Sequence, residues 1–134
     1  MNIMKLQLIK EGKAKLYIPY EKTYEAAVFY NPEAELNRDV SVSALQVFQK
    51  QSKLRLNVLD ALAATGVRGL RYKKEVKGIK ELILNDKNPL ATKLIRKNSK
   101  LNKINCKIEN KDANVIMHEN VFNVIDVDPF GSPN

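Results

Sequence analysis

Three aspartates at equal intervals restrict the possible fold of this chain more than any other feature. Asp60, Asp86 and Asp112 stand 26 residues apart, and each follows a short apolar segment that is typical of a strand. Predicted helices separate these strands, and strands that alternate with helices form a parallel sheet through right-handed crossovers. The carboxyl ends of such strands share one edge, where open α/β sheets bind ligands. We therefore expect an α/β fold in which the three carboxylates line one crevice.

Apolar periodicity and turn residues predict the individual elements. Strands are expected at 4–9, 14–18, 54–59, 82–84, 106–109 and 121–127, and helices at 38–49, from about 67, from about 89, and at 113–118. The first two strands form a hairpin around Gly12, and Asn37 or Asp39 is expected to cap the first helix. The last strand is apolar at both parities, which is typical of a strand covered on both faces.

The net charge and the cysteine and histidine content indicate what kinds of molecule this chain could bind. The 23 Lys and Arg residues outnumber the 15 Asp and Glu residues, and the resulting charge of +8 favours nucleic acid or another phosphate-rich partner. A basic protein that binds no anion specifically is the alternative. The single cysteine, Cys106, favours a reducing cytoplasm, and the single histidine, His118, has no cluster of metal-binding residues near it. We expect no metal site and no membrane span.

The loop after Asp60 predicts a nucleoside site. Residues 64–69 read A-x-G-x-x-G, one residue away from the dinucleotide fingerprint, and the helix that follows offers free N–H groups. The carboxylate of Asp86 can accept both ribose hydroxyls. Asp86 is alternatively a turn residue, and Asp112 a cap for the helix that starts at Ala113. Because an acid beside the loop disfavours pyrophosphate, Asp60 favours a cationic ligand such as S-adenosylmethionine over NAD.

The last motif carries a family resemblance. An acid, a proline and an aromatic residue in sequence, here Asp128-Pro129-Phe130, form the target-amine motif of exocyclic-amine methyltransferases. The longer form D-P-F-G-S-P, together with upstream F-Y-N-P at 29–32 and N-R-D at 37–39, resembles the tRNA (guanine-N2)-dimethyltransferase family, which methylates guanine 26 of tRNA. The resemblance extends from the hairpin to Pro133. D-P-F-G alone is also a common turn composition.

The resemblance implies a Rossmann-like class I methyltransferase fold with helices on both faces of the sheet, S-adenosylmethionine as cofactor and tRNA as partner. Arg38 and Arg68 match arginines that contact the cofactor, Asp86 matches the ribose acid, and Asp112 with Ala113 matches the pair that contacts adenine. Arg68 is alternatively a solvated helix residue, and Arg38 a helix residue with no ligand.

The glycine loop completes the predicted cofactor site with Asp60, Ala64 and Gly66. Ala64 stands where this class usually has glycine. A stretch rich in lysine, 93–111, is either a surface for tRNA phosphates or an ordinary solvated face.

The chemistry of the motif fits the same family. The 2-amino group of guanine is a poor nucleophile because its lone pair is delocalised into the ring. Asp128 and the carbonyl of Pro129 can accept its hydrogens, and Asp128 can take the proton. Phe130 can stack on the purine once the base has left its helical stack.

The predicted organisation is an extension of hairpin and helix at 1–53, followed at 54–134 by the first half of a Rossmann-like domain. The class resembled has seven strands, so a sheet of four parallel strands is expected to be truncated, with the C-terminal region of the same enzyme as its missing partner. We expect the chain alone to be inactive or poorly folded, with a long apolar edge after the fourth strand.

Two other functions fit parts of the pattern. A DNA or protein-glutamine N-methyltransferase shares the target-amine motif but usually has a second proline where Phe130 stands. A non-catalytic nucleotide-binding Rossmann half-domain would need no Asp128.

Overall fold

The computed structural model describes residues 4–21 and 26–129, and it has the predicted alternation of strands and helices. The elements are β1 (Leu6–Glu11), β2 (Ala14–Pro19), a 3-10 turn (Pro32–Ala34), α1 (Glu35–Ser52), β3 (Leu56–Asp60), α2 (Val67–Glu75), β4 (Ile79–Asn85), α3 (Pro89–Leu101), β5 (Lys107–Glu109), α4 (Ala113–Glu119) and β6 (Val124–Asp126). In this part of the chain, no helix combines the length and the apolar character that a bilayer crossing requires.

The predicted α/β fold is confirmed by the strand pairing. Strands β3 to β6 form a parallel sheet in the order β5-β4-β3-β6, and β1 and β2 form an antiparallel hairpin with a turn at Gly12. Asp60 is the last residue of β3, Asp86 follows β4, and Asp112 lies in the loop after β5. Because these strands are neighbours and parallel, the three acids follow the same edge of the sheet, as the equal spacing predicts.

Helices cover both faces of the sheet. On one face, apolar side chains of β3 and β4 pack with Leu70 of α2 and Ile95 of α3, and the same core includes Leu16 of the hairpin and Val42 of α1. On the other face, Leu59 and Ile83 pack against α4. The first core crosses the boundary predicted between residues 53 and 54, so the two segments pack together, and their assignment as separate domains stays a prediction.

The start of α1 corrects one prediction. The helix begins at Glu35, so Asn37 and Asp39 lie inside it and do not cap it. The chain enters the helix through the 3-10 turn that begins at Pro32, and the side chain of Asn31 caps that turn by accepting the N–H of Glu33. A proline at the first helical position already has the required φ, so it can start the helix earlier than a side-chain cap would.

The last strand corrects a second prediction. Only Val124–Asp126 pair with β3, and β6 is an edge strand with Ile125 41% exposed, so a long strand covered on both faces is wrong. The edge is correspondingly short. At its amino end, Asn123 bonds Asn57 twice: its N–H donates to the carbonyl of Asn57 at 2.9 Å, and its side-chain oxygen accepts the N–H of Asn57 at 2.6 Å.

Candidate functional site

A cavity of about 250 Å³ lies at the carboxyl end of β3, beside the glycine loop. We call it the edge cavity, and it brings together six of the predicted site residues: Arg38, Asp60, Ala64, Arg68, Asp128 and Pro129. Its wall also includes Phe29 and Tyr30, which belong to the upstream F-Y-N-P motif. A larger cleft of about 560 Å³ opens near the amino ends of the sheet strands and contains none of the predicted site residues.

The glycine loop turns tightly before α2. Ala64 has φ 51° and Gly66 has φ 88°, both in the left-handed region. Gly66 is the residue that precedes α2, and its N–H donates to the carbonyl of Ala63 at 2.7 Å. An alanine in this region carries a conformational cost of about 1–2 kcal/mol, so the surrounding structure must hold the loop in place.

The buried carboxylate of Asp86 supplies part of that support. It accepts the N–H of Ala64 and the N–H of Asn88, each at 2.9 Å. Asp86 is therefore a turn residue that joins the glycine loop to the start of α3. Each of its oxygens keeps a further lone pair, which leaves room for the predicted bonds to ribose hydroxyls. Asp86 does not line the edge cavity.

Asp112 and Ala113 lie further along the sheet edge. Asp112 is exposed and caps α4, because its carboxylate accepts the N–H of Asn114 at 2.8 Å. Ala113 is the first residue of α4. Neither residue lines the edge cavity, so the structure places the three aspartates along one edge without bringing them into one pocket. The contact of Asp112 and Ala113 with adenine stays a prediction.

Asp60 lies on the floor of the edge cavity and is 1% exposed. Its Oδ2 accepts the N–H of Gly69 at 3.1 Å, while its Oδ1 has no hydrogen-bond partner among the described residues. Burial raises the pKa of Asp60 well above its ordinary value, and the negative charge of Asp126 raises it further. A buried acceptor without a partner costs free energy unless a ligand or water satisfies it, so Asp60 Oδ1 fits a cationic donor.

Arg68 links the glycine loop to the target-amine motif. Its Nε lies 3.1 Å from Asp128 Oδ2, and its Nη1 lies 3.6 Å from Asp126 Oδ2. We call Asp60, Arg68, Asp126 and Asp128 the Arg68 cluster. The Asp128 side chain is 44% exposed, so it remains accessible to a substrate while Arg68 holds it.

Three residues that were not predicted as site residues hold this cluster in place. Asn37 Oδ1 and Ser41 Oγ of α1 accept N–H groups of Arg68 at 2.6 and 3.0 Å. The hydroxyl of Tyr72 donates to Asp126, and burial followed by the charge of Asp126 raises the pKa of Tyr72. Tyr72 stands four residues after Arg68, on the same face of α2, and that spacing is the signal that would have identified it.

Arg38 belongs to a second group of charges around Glu11. Glu11 is 1% exposed, and it accepts from Arg38 at 2.6 Å and from Arg71 at 2.9 Å. Asp39 and Glu75 contact Arg71, each at 2.7 Å. We call these five residues the Glu11 cluster. Burial alone would raise the pKa of Glu11, but the hydrogen bonds from Arg38 and Tyr30 outweigh burial and hold it below its ordinary value.

Arg38 keeps part of its guanidinium for the edge cavity. Its Nε and Nη2 donate to Glu11, Nη2 also donates to the carbonyl of Asn31, and its guanidinium carbon lies 4.9 Å from the centre of the Tyr30 ring. Its Nη1 group has no partner among the described residues. Two N–H donors therefore remain for an anionic group in the cavity.

Phe130 and the rest of the motif, 131–133, lie outside the described residues. Within the described part of the chain, no three His, Cys, Asp or Glu side chains are grouped so that they could hold a metal ion.

The chain is similar to known tRNA methyltransferases. The family model described as N2,N2-dimethylguanosine tRNA methyltransferase matches residues 9–134. The tRNA (guanine(26)-N(2))-dimethyltransferase of Sulfurisphaera tokodaii is 51% identical over 97% of this chain, and that of Methanosphaera stadtmanae is 41% identical over 97%. The chain spans about 36% of the length of the first relative and about 35% of the second.

Solved structures share the fold. Pyrococcus horikoshii Trm1, solved in complex with S-adenosyl-L-methionine, superposes with a TM-score of 0.82 and 37% identity, over 95% of this chain and 37% of that one. Pyrococcus abyssi Trm5b superposes with a TM-score of 0.65 at 21% identity, over 84% of this chain and 30% of that one, a likeness that shows the fold alone. The Rossmann-like arrangement expected from the sequence is thus confirmed.

Proposed function

This chain belongs to the N2,N2-dimethylguanosine tRNA methyltransferase family, and from that premise we propose that the intact protein methylates the exocyclic N2 of guanine 26 in tRNA, with S-adenosylmethionine as methyl donor. The observation that carries the proposal is the edge cavity, where Asp128 and Pro129 of the target-amine motif face the floor formed by Asp60. The names of the relatives and the bound ligand of Pyrococcus horikoshii Trm1 support the substrate and the cofactor. A cytoplasmic location is part of the same proposal.

The donor set of the cavity fits the methionine part of the cofactor. Asp60 Oδ1, buried and without a partner among the described residues, is placed to accept the ammonium group. The two remaining N–H donors of Arg38 suit the carboxylate. Arg68 is a second donor to that carboxylate, through an N–H that its bonds to Asp128, Ser41 and Asn37 leave free. When bound, the cofactor supplies a methyl group activated by the sulfonium.

The nucleoside part of the cofactor is assigned to the acids further along the edge. We assign Asp86 to the ribose hydroxyls, through the lone pairs that its bonds to Ala64 and Asn88 leave free. Asp112 and Ala113 are assigned to adenine. Gly66 acts through the backbone: a side chain at its position would be strained at φ 88° and would meet Leu70 Cδ1 at 3.2 Å.

Asp128 prepares the amine. Its carboxylate and the carbonyl of Pro129 accept the two hydrogens of the guanine amino group, which localises the nitrogen lone pair toward the methyl group. One amine proton would pass to Asp128, and from there to water, as the methyl group leaves the sulfonium sulfur, which becomes a neutral thioether, and bonds the nitrogen. Arg68 keeps the carboxylate in place for this task. Stacking of the purine on Phe130 completes the proposal.

The deciding experiment measures transfer of a labelled methyl group from S-adenosylmethionine to unmodified tRNA by the intact protein. We expect label in N2-methylguanosine or N2,N2-dimethylguanosine after nuclease digestion, and none when adenine replaces guanine 26. Equal labelling of a DNA oligonucleotide or a protein would assign the chain to another exocyclic-amine substrate. Cofactor binding with no transfer to any substrate would indicate a binding module.

A further inference from the structure

The outward face of α3 carries positive charge without compensating acids. Between residues 87 and 108 the chain contains seven lysines and arginines and no acid. Lys93, Lys97 and Lys100 are exposed, while Leu94 and Ile95 are buried on the opposite face of the helix. In the described part of the chain, no carboxylate forms an ion pair with any of these three lysines.

Two asparagines attach the hairpin to this helix. The carboxamide of Asn98 accepts the N–H of Tyr17 at 2.7 Å and donates to its carbonyl at 3.1 Å. The carboxamide of Asn102 likewise accepts the N–H of Lys15 at 2.9 Å and donates to the carbonyl of Lys15 at 2.7 Å. Residues four apart on a helix are separated by about 6 Å along its axis, and residues two apart on a strand by about 6.6 Å. The spacings match, so the two side chains bond the edge of β2 as a neighbouring strand would.

This attachment places further lysines beside those of α3. Lys10 and Lys15 are directly opposite each other in the hairpin, and both are exposed. Like charges in opposite positions of a strand pair are destabilising. Lys97 Nζ lies 4.7 Å from the centre of the Tyr17 ring. Tyr17 and Lys15 are two residues apart on β2 and so share one face of the hairpin, which places Lys97 on the same side as the hairpin lysines. We call Lys10, Lys15, Lys93, Lys97 and Lys100 the hairpin–α3 surface.

The hairpin–α3 surface is connected to the edge cavity through one buried side chain. Besides its bonds to Tyr17, the Asn98 carboxamide donates to the carbonyl of Thr65 at 2.9 Å. Thr65 lies in the glycine loop and lines the cavity. Asn98 is 0% exposed, so the loop, the helix and the hairpin are held in one fixed arrangement. A polyanion on this surface is thereby positioned relative to the cavity.

We propose that the hairpin–α3 surface binds the phosphate backbone of the RNA whose base enters the edge cavity. The repeated like charges favour a polyanion, because phosphates offset the repulsion between Lys10 and Lys15 and release counterions on binding. RNA is favoured over a membrane because α3 buries its apolar face in the core and has none left to insert into a bilayer. That the RNA is tRNA rests on the proposed function.

The test compares two triple variants of the intact protein that lose the same charge. Lys10→Gln, Lys93→Gln and Lys100→Gln remove three charges from the surface. Lys50→Gln, Lys74→Gln and Lys77→Gln remove three exposed charges from the ends of α1 and α2 and from the turn after α2. For the surface triple, we expect a tRNA Kd raised about 10- to 100-fold near 0.1 M salt, and a slope of log K against log salt shallower by about 2–3. For the control triple we expect a change below about 3-fold.

Further measurements separate the possible outcomes. The triple variant with arginine at positions 10, 93 and 100 should bind tRNA within about 3-fold of wild type, since charge and phosphate contact remain. Equal losses in the two glutamine triples would overturn the proposal, as would wild-type tRNA binding by the surface triple. Loss of binding to phosphatidylserine vesicles with tRNA binding unchanged would identify a membrane surface instead. If the surface triple binds tRNA more weakly than the control triple but wild type transfers no methyl group, the proposed function is refuted and the proposal of an RNA-binding surface is retained.

Discussion

Arg68 and Arg71 lie three residues apart on α2, yet the two arginines contact clusters of opposite character. In the Glu11 cluster, Arg71 meets Glu11, Asp39 and Glu75, and the central acid is almost fully buried with each oxygen bonded. In the Arg68 cluster, one acid is half exposed and another, Asp60, has a buried oxygen without a partner among the described residues.

This difference in how completely the acids are bonded distinguishes charged groups that stabilise the fold from those that are available to a ligand. A buried ion network is tolerated when its charges are paired, and it then holds elements together. The Glu11 cluster does this for the hairpin, α1 and α2 through its shared acid, and among the described residues only the Nη1 group of Arg38 is left for the edge cavity. Acids that lack partners and have raised pKa values beside a cavity indicate a place for a ligand. Variants can test whether the Glu11 cluster stabilises the fold while the Arg68 cluster serves the ligand site.

The largest expected effect concerns two half-exposed acids, one from each cluster. Asp128 pairs with Arg68 at 3.1 Å and Asp39 pairs with Arg71 at 2.7 Å. Asp128→Asn should lower kcat for tRNA methylation about 10²- to 10⁴-fold, because the general base is lost, and should leave the cofactor Kd unchanged. Asp39→Asn, the matched control, should keep kcat within about 3-fold. Similar turnover in both variants would end the distinction between the clusters.

The next prediction concerns the centre of the Glu11 cluster. Glu11→Ala leaves Arg38 and Arg71, which are 4% and 3% exposed, without their shared acid. We expect the free energy of unfolding to fall by about 3–5 kcal/mol, because buried guanidinium groups lose their counter-charge. Asp39→Ala, which removes the half-exposed partner of Arg71, should cost about 1 kcal/mol or less. Denaturant unfolding of the intact protein measures both, and equal costs would show that Glu11 is not the centre of the network.

The sequence predicts the Arg68 cluster better than the Glu11 cluster, and the reason is chain separation. Asp60 is the last residue of β3 and Asp128 comes two residues after β6, so local patterns and the parallel sheet suffice to place them at one edge. Glu11 meets residues 27 and 60 positions away, and only the packing of the hairpin onto the helices brings them together. No local pattern distinguishes Glu11 from an ordinary turn residue.

The errors of the sequence analysis have a similar origin. Asn37 and Asp39 have the composition of helix caps, but tertiary contacts with Arg68 and Arg71 use their side chains. The apolar residues of 121–127 suggest a buried strand, whereas only Val124, Ile125 and Asp126 pair with β3. Local composition identifies which groups can bond, and the fold decides which partners they find.

Glu11 and Asp60 should contribute to stability with opposite dependence on pH. The pKa of Glu11 is lowered, so its contribution to stability is complete above its ordinary value of 4.5 and is lost as pH falls through the folded pKa. The pKa of Asp60 is raised by burial and by Asp126, so its contribution is complete below 3.8 and is lost as pH rises through the folded pKa.

The variants Glu11→Gln and Asp60→Asn should therefore change the pH profile of unfolding with opposite slopes. Relative to wild type, Glu11→Gln should be most destabilised at neutral pH, and Asp60→Asn should gain stability as pH rises. Asp60→Asn should also weaken cofactor binding about 10- to 100-fold, because a bound ammonium group favours the ionised form of Asp60 and a neutral amide cannot supply that charge. Slopes of the same sign would contradict the assignment of the two acids to different roles.

The smallest expected effect tests strain in the glycine loop. Ala64 has φ 51°, and Lys103, after α3 and outside both clusters, has φ 54°. Glycine relieves about 1–2 kcal/mol of left-handed strain and costs about 0.5–1 kcal/mol of chain entropy. Ala64→Gly and Lys103→Gly should each raise the free energy of unfolding by about 0.5–1 kcal/mol. If only the loop variant also changes the cofactor Kd, the strain at Ala64 serves the site. If neither does, the left-handed alanine reflects only the tight turn that the Asp86 carboxylate holds, and the functional part of the loop is confined to the neighbours of Asp60.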